Sequence, residues 1–120
     1  MGSDEIVHAL VQFTGTVQYT RYQPNLLLTD GIVYLAENAQ CFWLLDLFSS
    51  YLSSIDGDQE WFAVLKLSRK GDGALAVIED GNNKVFARQE IELTDFPLGS
   101  ITLYACWSEE HWVVMLPSEY

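Results

Sequence analysis

Lys84–Leu93 reads KVFARQEIEL, and its alternation decides how the second half of the chain folds. Val85, Ala87, Gln89, Ile91 and Leu93 fall on one side of an extended chain, and Phe86, Arg88, Glu90 and Glu92 on the other. A period of two is the mark of a half-buried β-strand. Upstream, the turn Asp80-Gly81-Asn82-Asn83 separates it from a strand over Ala74–Ile78, and Lys70-Gly71-Asp72-Gly73 separates that from a strand over Trp61–Leu67. Downstream, Asp95-Phe96-Pro97-Leu98-Gly99 connects to a strand over Ile101–Trp107. Ser108-Glu109-Glu110 then turns into Trp112–Leu116, which Pro117 ends. Short turns force antiparallel neighbours. The spacing therefore predicts a four- to five-stranded antiparallel β-meander from Trp61 onward. Arg88, Glu90 and Glu92 should share one outward side, beside Thr102 and Tyr104 of the next strand.

Before Ile55 the period changes. Asp4–Gln12 reads as a short helix capped by Ser3, with Val7, Leu10 and Val11 as its apolar stripe and two acids suited to its first turn. Gln18–Tyr22 is polar-aromatic and reads as extended, and Pro24-Asn25 marks a turn. Thr29 is the expected N-cap of a helix whose Ile32, Leu35, Ala36 and Ala39 follow the i, i+3, i+4, i+7 spacing. A second helical run covers Gln40–Ser53. Cys41, Leu44, Leu45, Phe48 and Leu52 form one face of it, and Trp43, Leu47 and Tyr51 a second, as in a central buried helix. Together these readings give an α+β fold, with N-terminal helices packed on one face of the sheet and residues 1–120 forming one domain.

The totals agree with that reading. At 120 residues, with 49% hydrophobic and 13% aromatic side chains, the chain has the size and composition of one domain with a real core. Seventeen acids against six bases give a net charge of −11. Such a balance repels phosphate backbones and anionic membrane surfaces, and favours basic partners or simple solubility. The longest acidic runs are pairs, so there is no acidic tail. Cys41 and Cys106 both sit in apolar surroundings and read as free thiols. Asp4 and Glu5 are out of keeping with a signal peptide, and Cys41–Phe48 is too short and too interrupted to span a bilayer. A cytoplasmic protein is the expectation.

The chain carries little that resembles a catalytic apparatus. Asp80–Lys84, DGNNK, has an acid, a glycine and amides, but neither the spacing of a phosphate loop nor the ligand series of a calcium loop. It reads as a hairpin turn. Two histidines, His8 and His111, and two cysteines offer no local pair to nucleate a zinc site. Cys106, Ser108 and His111 flank one turn and are the best nucleophile–base candidates, without an orienting partner. No cofactor or metal is expected. For partner contact, Tyr19-Thr20-Arg21-Tyr22 holds the single base of the first half beside two tyrosines, types favoured at interface anchors. Its bland alternative is a loop whose rings pack on the sheet. Arg88, Glu90 and Glu92, with Tyr104, form a second candidate surface, whose bland alternative is a solvated strand face.

Four segments carry a family likeness: TDG at Thr29–Gly31, YLAENAQCFWLLD at Tyr34–Asp46, IELTDFPL at Ile91–Leu98 and LPSEY at Leu116–Tyr120. From about Phe13 to Tyr120 the chain resembles a family of small bacterial proteins known only as a domain of unknown function. Members occur in bacterial genomes, cyanobacteria among them, and on plasmids and phages. The resemblance implies a small standalone protein, and its mobile-element setting suits a regulator or inhibitor of another protein. It implies no activity or catalytic residue. TDFPL and LPSEY also read structurally, Pro97 fixing a turn and Tyr120 packing back on the domain. The resulting expectation is a non-enzymatic acidic module for a basic protein partner. A nucleic-acid mimic acting against a defence protein is one variant, and a homodimer is compatible with it. The alternatives are a small-molecule pocket between helices and sheet, with tryptophan walls, and a small hydrolase-like enzyme.

Overall fold

A helix needs its apolar side chains on one stripe, and the three helices of this chain achieve that to different degrees. The computed structural model of the protein describes residues 2–120. Helix α1 (Ser3–Leu10) buries only Ile6 and Leu10, one turn apart. Val7 and Val11 stay exposed, so the expected Val7-Leu10-Val11 stripe is rotated by one position. The expected cap is also displaced: Gly2 is the N-cap, its carbonyl accepting the Ile6 N–H, and Ser3 is the first helical residue. Helix α2 (Asp30–Asn38) starts after Thr29 as expected and buries Ile32, Leu35 and Ala36. Gln40, with φ of 51°, breaks the chain before α3 (Phe42–Leu52), which buries Leu44, Leu45, Phe48 and Leu52. Trp43, Leu47 and Tyr51 pack half-buried against the same core.

Seven strands follow one another across a single sheet in the order β1-β2-β7-β6-β3-β4-β5. They are β1 (Thr20–Gln23), β2 (Leu26–Leu28), β3 (Phe62–Lys70), β4 (Gly73–Glu79), β5 (Val85–Ile91), β6 (Ser100–Ser108) and β7 (His111–Met115). The four to five strands expected from Trp61 onward are present as β3 to β7. The count was short because β1 and β2 come from the segment before α2. Leu26, Leu27 and Leu28 pair in parallel with Trp112, Val113 and Val114, and β1 folds back antiparallel on β2. The Pro24-Asn25 turn joins β1 to β2, but a three-residue strand gives too little alternation to read, and its parallel partner lies at the far end of the chain.

The meander is also interrupted. β5 does not neighbour β6; β3 does, with Val64 opposite Tyr104 and Leu65 opposite Leu103. The connection 92–99 therefore passes across the end of the β3–β4 hairpin to reach the other side of β3. Two features hold it there. Phe96 and Leu98 are buried, and the Phe96 ring meets Trp43 of α3 edge-on at 6.3 Å. The Arg69 guanidinium donates to the carbonyls of Gly71, Gly73 and Phe96, tying the hairpin to the connection. TDFPL thus packs into the core, with Thr94 Oγ1 accepting the Phe96 N–H at 3.2 Å.

Strand alternation sorts the sheet into two faces. Ala63, Leu65 and Leu67 of β3, Ala76 and Ile78 of β4, Leu103 and Ala105 of β6, and Val114 of β7 form one cluster with the buried side of all three helices. No helix covers the opposite face among the described residues. Leu116 leads from β7 into a 3-10 turn, Pro117–Glu119, which returns the chain end to the start of α2.

Candidate functional site

The helix-free face is built from the residues that alternate with the core. Cross-strand partners there are Phe62 with Cys106, Val64 with Tyr104 and with Glu79, and Tyr104 with Met115. A strand pair places directly opposed side chains within contact, and the rings use this. Phe62 and Tyr104 meet edge-to-face with centroids 5.0 Å apart. Tyr120 folds over from the chain end and completes a trio, 5.4 Å from Phe62 and 5.6 Å from Tyr104. Val64 lies nearly buried beneath them. Trp61 continues the aromatic surface, tilted against Phe62 at 5.6 Å and 57% exposed.

The acids are not evenly distributed around this face. At the end where β3 begins and β4 and β6 finish, the segments 53–61, 79–84 and 109–110 hold seven carboxylates and one base, Lys84. Lys84 pairs with Glu60, and this pairing holds its ammonium pKa above the ordinary value. Glu79 reaches Lys66 at 3.2 Å. Asp56, Asp58, Asp80, Glu109 and Glu110 form no ion pair among the described residues. Glu60, Asp80 and Asn82 line a cavity together with Trp61 and Phe62, so aromatic surface and carboxylates are contiguous.

The sequence-expected residues are dispersed over this frame. Tyr19, Arg21 and Tyr22 lie at the β1 edge, and Arg88 and Glu90 on β5 at the other edge. Six strand spacings of about 4.8 Å put these edges roughly 29 Å apart. Arg21 is exposed and donates to the Pro24 carbonyl of its own turn, and Tyr19 is exposed. Tyr22 is structural. Its hydroxyl donates to Asp46 Oδ1 at 2.8 Å, and its ring stacks on Phe42 at 6.0 Å. Burial, reinforced by the Asp46 carboxylate, pushes the Tyr22 phenol up to about 12. Arg88 and Glu90 share the helix-free face with Tyr104, but β4 and β3 stand between them, so the expected side-by-side placement with Thr102 and Tyr104 does not occur. Glu92 follows the end of β5 in the crossover connection. Sequence reading missed Phe62 and Trp61 as surface residues; their apolar run looks like core, and only the register shows which side each faces.

Ser108 and His111 are directly opposed across the β6–β7 hairpin, and Cys106 is opposed to Val113 two pairs further along. No hydrogen bond joins the three among the described residues. Burial raises the Cys106 thiol, which disfavours a thiolate, and pushes Cys41 up to about 12. Both cysteines are free and lie on opposite sides of the sheet. Asp80 Oδ1 accepts the N–H groups of Asn82 and Lys84 at 2.7 and 3.1 Å, so DGNNK is the hairpin turn expected of it. No group of three metal-ligating side chains converges among the described residues, and no helix there is long and apolar enough to cross a membrane. A cavity of about 250 Å³ lies between α3 and the β1–β2 turn, lined by Trp107, Trp112, Gln23, Asn25 and Ser49.

No curated protein and no solved structure matches the chain. A family model does match, over residues 4–120, and it takes in all four of the motifs that carry the likeness. The chain belongs to this family, DUF6876, a family of unknown function.

Proposed function

We propose that this chain is a non-enzymatic protein-binding module, a regulator or inhibitor that presents the helix-free sheet face to a basic surface on another protein. The observation that carries the reading is the junction of aromatic and acidic surface. Phe62, Tyr104, Tyr120 and Trp61 offer ring surface, and seven carboxylates lie beside them, of which only Glu60 and Glu79 are paired with a base, Lys84 and Lys66. Aromatic anchors inside a charged rim are the usual anatomy of a protein interface. The sign of the rim selects a partner rich in lysine and arginine, and such complementarity speeds encounter and weakens with salt. A protein whose basic groove normally holds nucleic acid, such as a defence nuclease, is the partner class that suits this surface best. Phosphate backbones and anionic lipids are repelled by the same charge.

The test is co-purification from the native host with two baits, the wild-type chain and Trp61→Lys/Tyr104→Lys, at low and high salt. The expected result is a basic protein held by the wild type at low salt, released at high salt and absent from the variant. Direct binding of that protein, once purified, completes the test. Retention that is identical for both baits, or no retained basic protein, overturns the reading.

A second reading has one observation in its favour, the cavity walled by Trp107 and Trp112 and edged by the Gln23, Asn25 and Ser49 side chains. Indole faces with neutral amides and hydroxyls suit a small, uncharged, ring-containing ligand. Its test is saturable quenching of tryptophan emission by such a ligand, lost in Trp107→Phe.

A further inference from the structure

We propose that the open edge of β5 is a self-association surface, which pairs antiparallel with β5 of a second copy of this chain about a two-fold axis at Gln89. This inference stands apart from the partner reading above, because it uses a different edge of the sheet and a different occupant. β5 is last in the strand order, so one side of its backbone is unpaired among the described residues. A seven-residue open edge is a template for another strand unless it is blunted.

The direction of the unpaired groups follows from the hairpin upstream. Lys70 and Gly73 close a two-residue turn whose first central residue, Gly71, has φ of 59°. Closing residues of such a turn form a hydrogen-bonded pair. Alternation then points Ala74 and Ala76 towards β5, so their partners Ile91 and Gln89 use their N–H and C=O groups on β4. Arg88 and Glu90 therefore aim their backbone groups at the open edge.

A two-fold axis at Gln89 sets Arg88 opposite the second copy's Glu90, and Glu90 opposite its Arg88. These are the residues whose backbone groups are free to pair, and their side chains bring opposite charges together on the helix-free face. On the other face Ala87 comes opposite Ile91. The neighbouring centres are disfavoured: an axis at Arg88 sets arginine on arginine, and one at Glu90 sets glutamate on glutamate. Charge pattern and backbone parity thus agree on one register, which is how hairpin partners select register within a chain.

The experiment is light scattering on the full chain over micromolar to millimolar concentration, at an ionic strength that screens repulsion between two copies of net charge −11. The expected result is a concentration-dependent dimer. Arg88→Glu and Glu90→Arg should each weaken it roughly tenfold or more, because the symmetry places each reversal in two pairs. The double variant Arg88→Glu/Glu90→Arg, which restores opposite charges, should recover dimerisation. Far-ultraviolet circular dichroism confirms that all three variants are folded. A chain that stays monomeric throughout, a dimer indifferent to either single reversal, or a double variant no better than the singles overturns the proposal.

Discussion

The hydroxyl of Thr29 donates to the carboxylate of Glu119 at 2.7 Å, joining residues 90 positions apart. Thr29 is 2% exposed and is the N-cap of α2, yet its side chain makes no capping bond to its own helix. Glu119 takes over that role. Its Oε2 accepts the Gly31 N–H at 3.1 Å, while its Oε1 also accepts the Leu116 N–H at 3.0 Å. A carboxylate at a helix N-terminus is favoured by the helix dipole and by the orphan N–H groups there. Gly31 is required by the same closeness, since a Cβ at this position would lie 2.6 Å from both Glu119 Oε1 and Leu116 Cδ1. Two of the family-likeness motifs, TDG and LPSEY, are the two halves of this single contact.

Glu119→Ala should therefore destabilise the fold by about 2 kcal/mol, the cost of leaving partly buried donors unpaired. Urea unfolding checks this, with a lower midpoint at unchanged slope. Gly31→Ala should cost a comparable amount by displacing the closing turn. A midpoint within error of wild type for Glu119→Ala would show that water replaces the carboxylate at no cost.

Arg69 serves the crossover as Glu119 serves the chain end. Its three carbonyl contacts fan across Gly71, Gly73 and Phe96, a geometry that suits a planar guanidinium and not an ammonium. Arg69→Met should cost roughly 2 kcal/mol, as expected for charge-assisted hydrogen bonds to partly buried carbonyls. Arg69→Lys should recover only a minor share. Hydrogen exchange should localise the effect, with the amides of residues 92–99 losing protection before those of β3 and β6.

These two ties mark where sequence reading stopped. The helices were legible because Ile32, Leu35 and Ala36, and Leu44, Leu45 and Phe48, repeat at helical spacing and are buried as that spacing implies. The strands β3 to β7 were legible from their alternation and turns. The seven-stranded count was not, since β1 and β2 are too short to show alternation and join the sheet through the parallel pairing of β2 with the distant β7. Nor was the crossover, because nothing in Glu92–Gly99 says which side of β3 it must reach; burial of Phe96 beneath α3 decides that. Of the aromatic surface, Tyr104 was identified in advance as a contact candidate, and Tyr120 as a ring that packs back on the domain. The neighbours of Tyr104, Phe62 and Tyr120, come from segments that share no local pattern, and only strand register and the closing turn bring them together.

Gly57 makes a second steric prediction. A Cβ there would lie 2.2 Å from the Trp107 indole, which is itself held by a 3.2 Å hydrogen bond from its Nε1 to Asp58 and by an edge-to-face contact with Trp112. Gly57→Ala should cost about 1–3 kcal/mol, the range for forcing extra volume into packed surroundings. Near-ultraviolet circular dichroism should change with it, because the two indoles must separate.

Tyr22 gives the alkaline limb of stability its sign. Its phenol, ordinarily near 10, is raised to about 12, first by burial and then by the Asp46 carboxylate that accepts its hydrogen bond. Folding thus favours the protonated form. The resulting stabilisation is fully present below pH 10 and is lost as pH rises through 12, where the unfolded phenol has already ionised. Cys41, raised from 9.0 to about 12 by burial, adds a limb of the same sign, so wild type alone does not separate the two. Tyr22→Phe does: it removes the phenol and leaves Cys41. Unfolding free energy measured against pH should fall more steeply in wild type than in Tyr22→Phe between 10 and 12. Parallel curves would mean that the Tyr22–Asp46 hydrogen bond, which ties β1 to α3, opens before the phenol titrates.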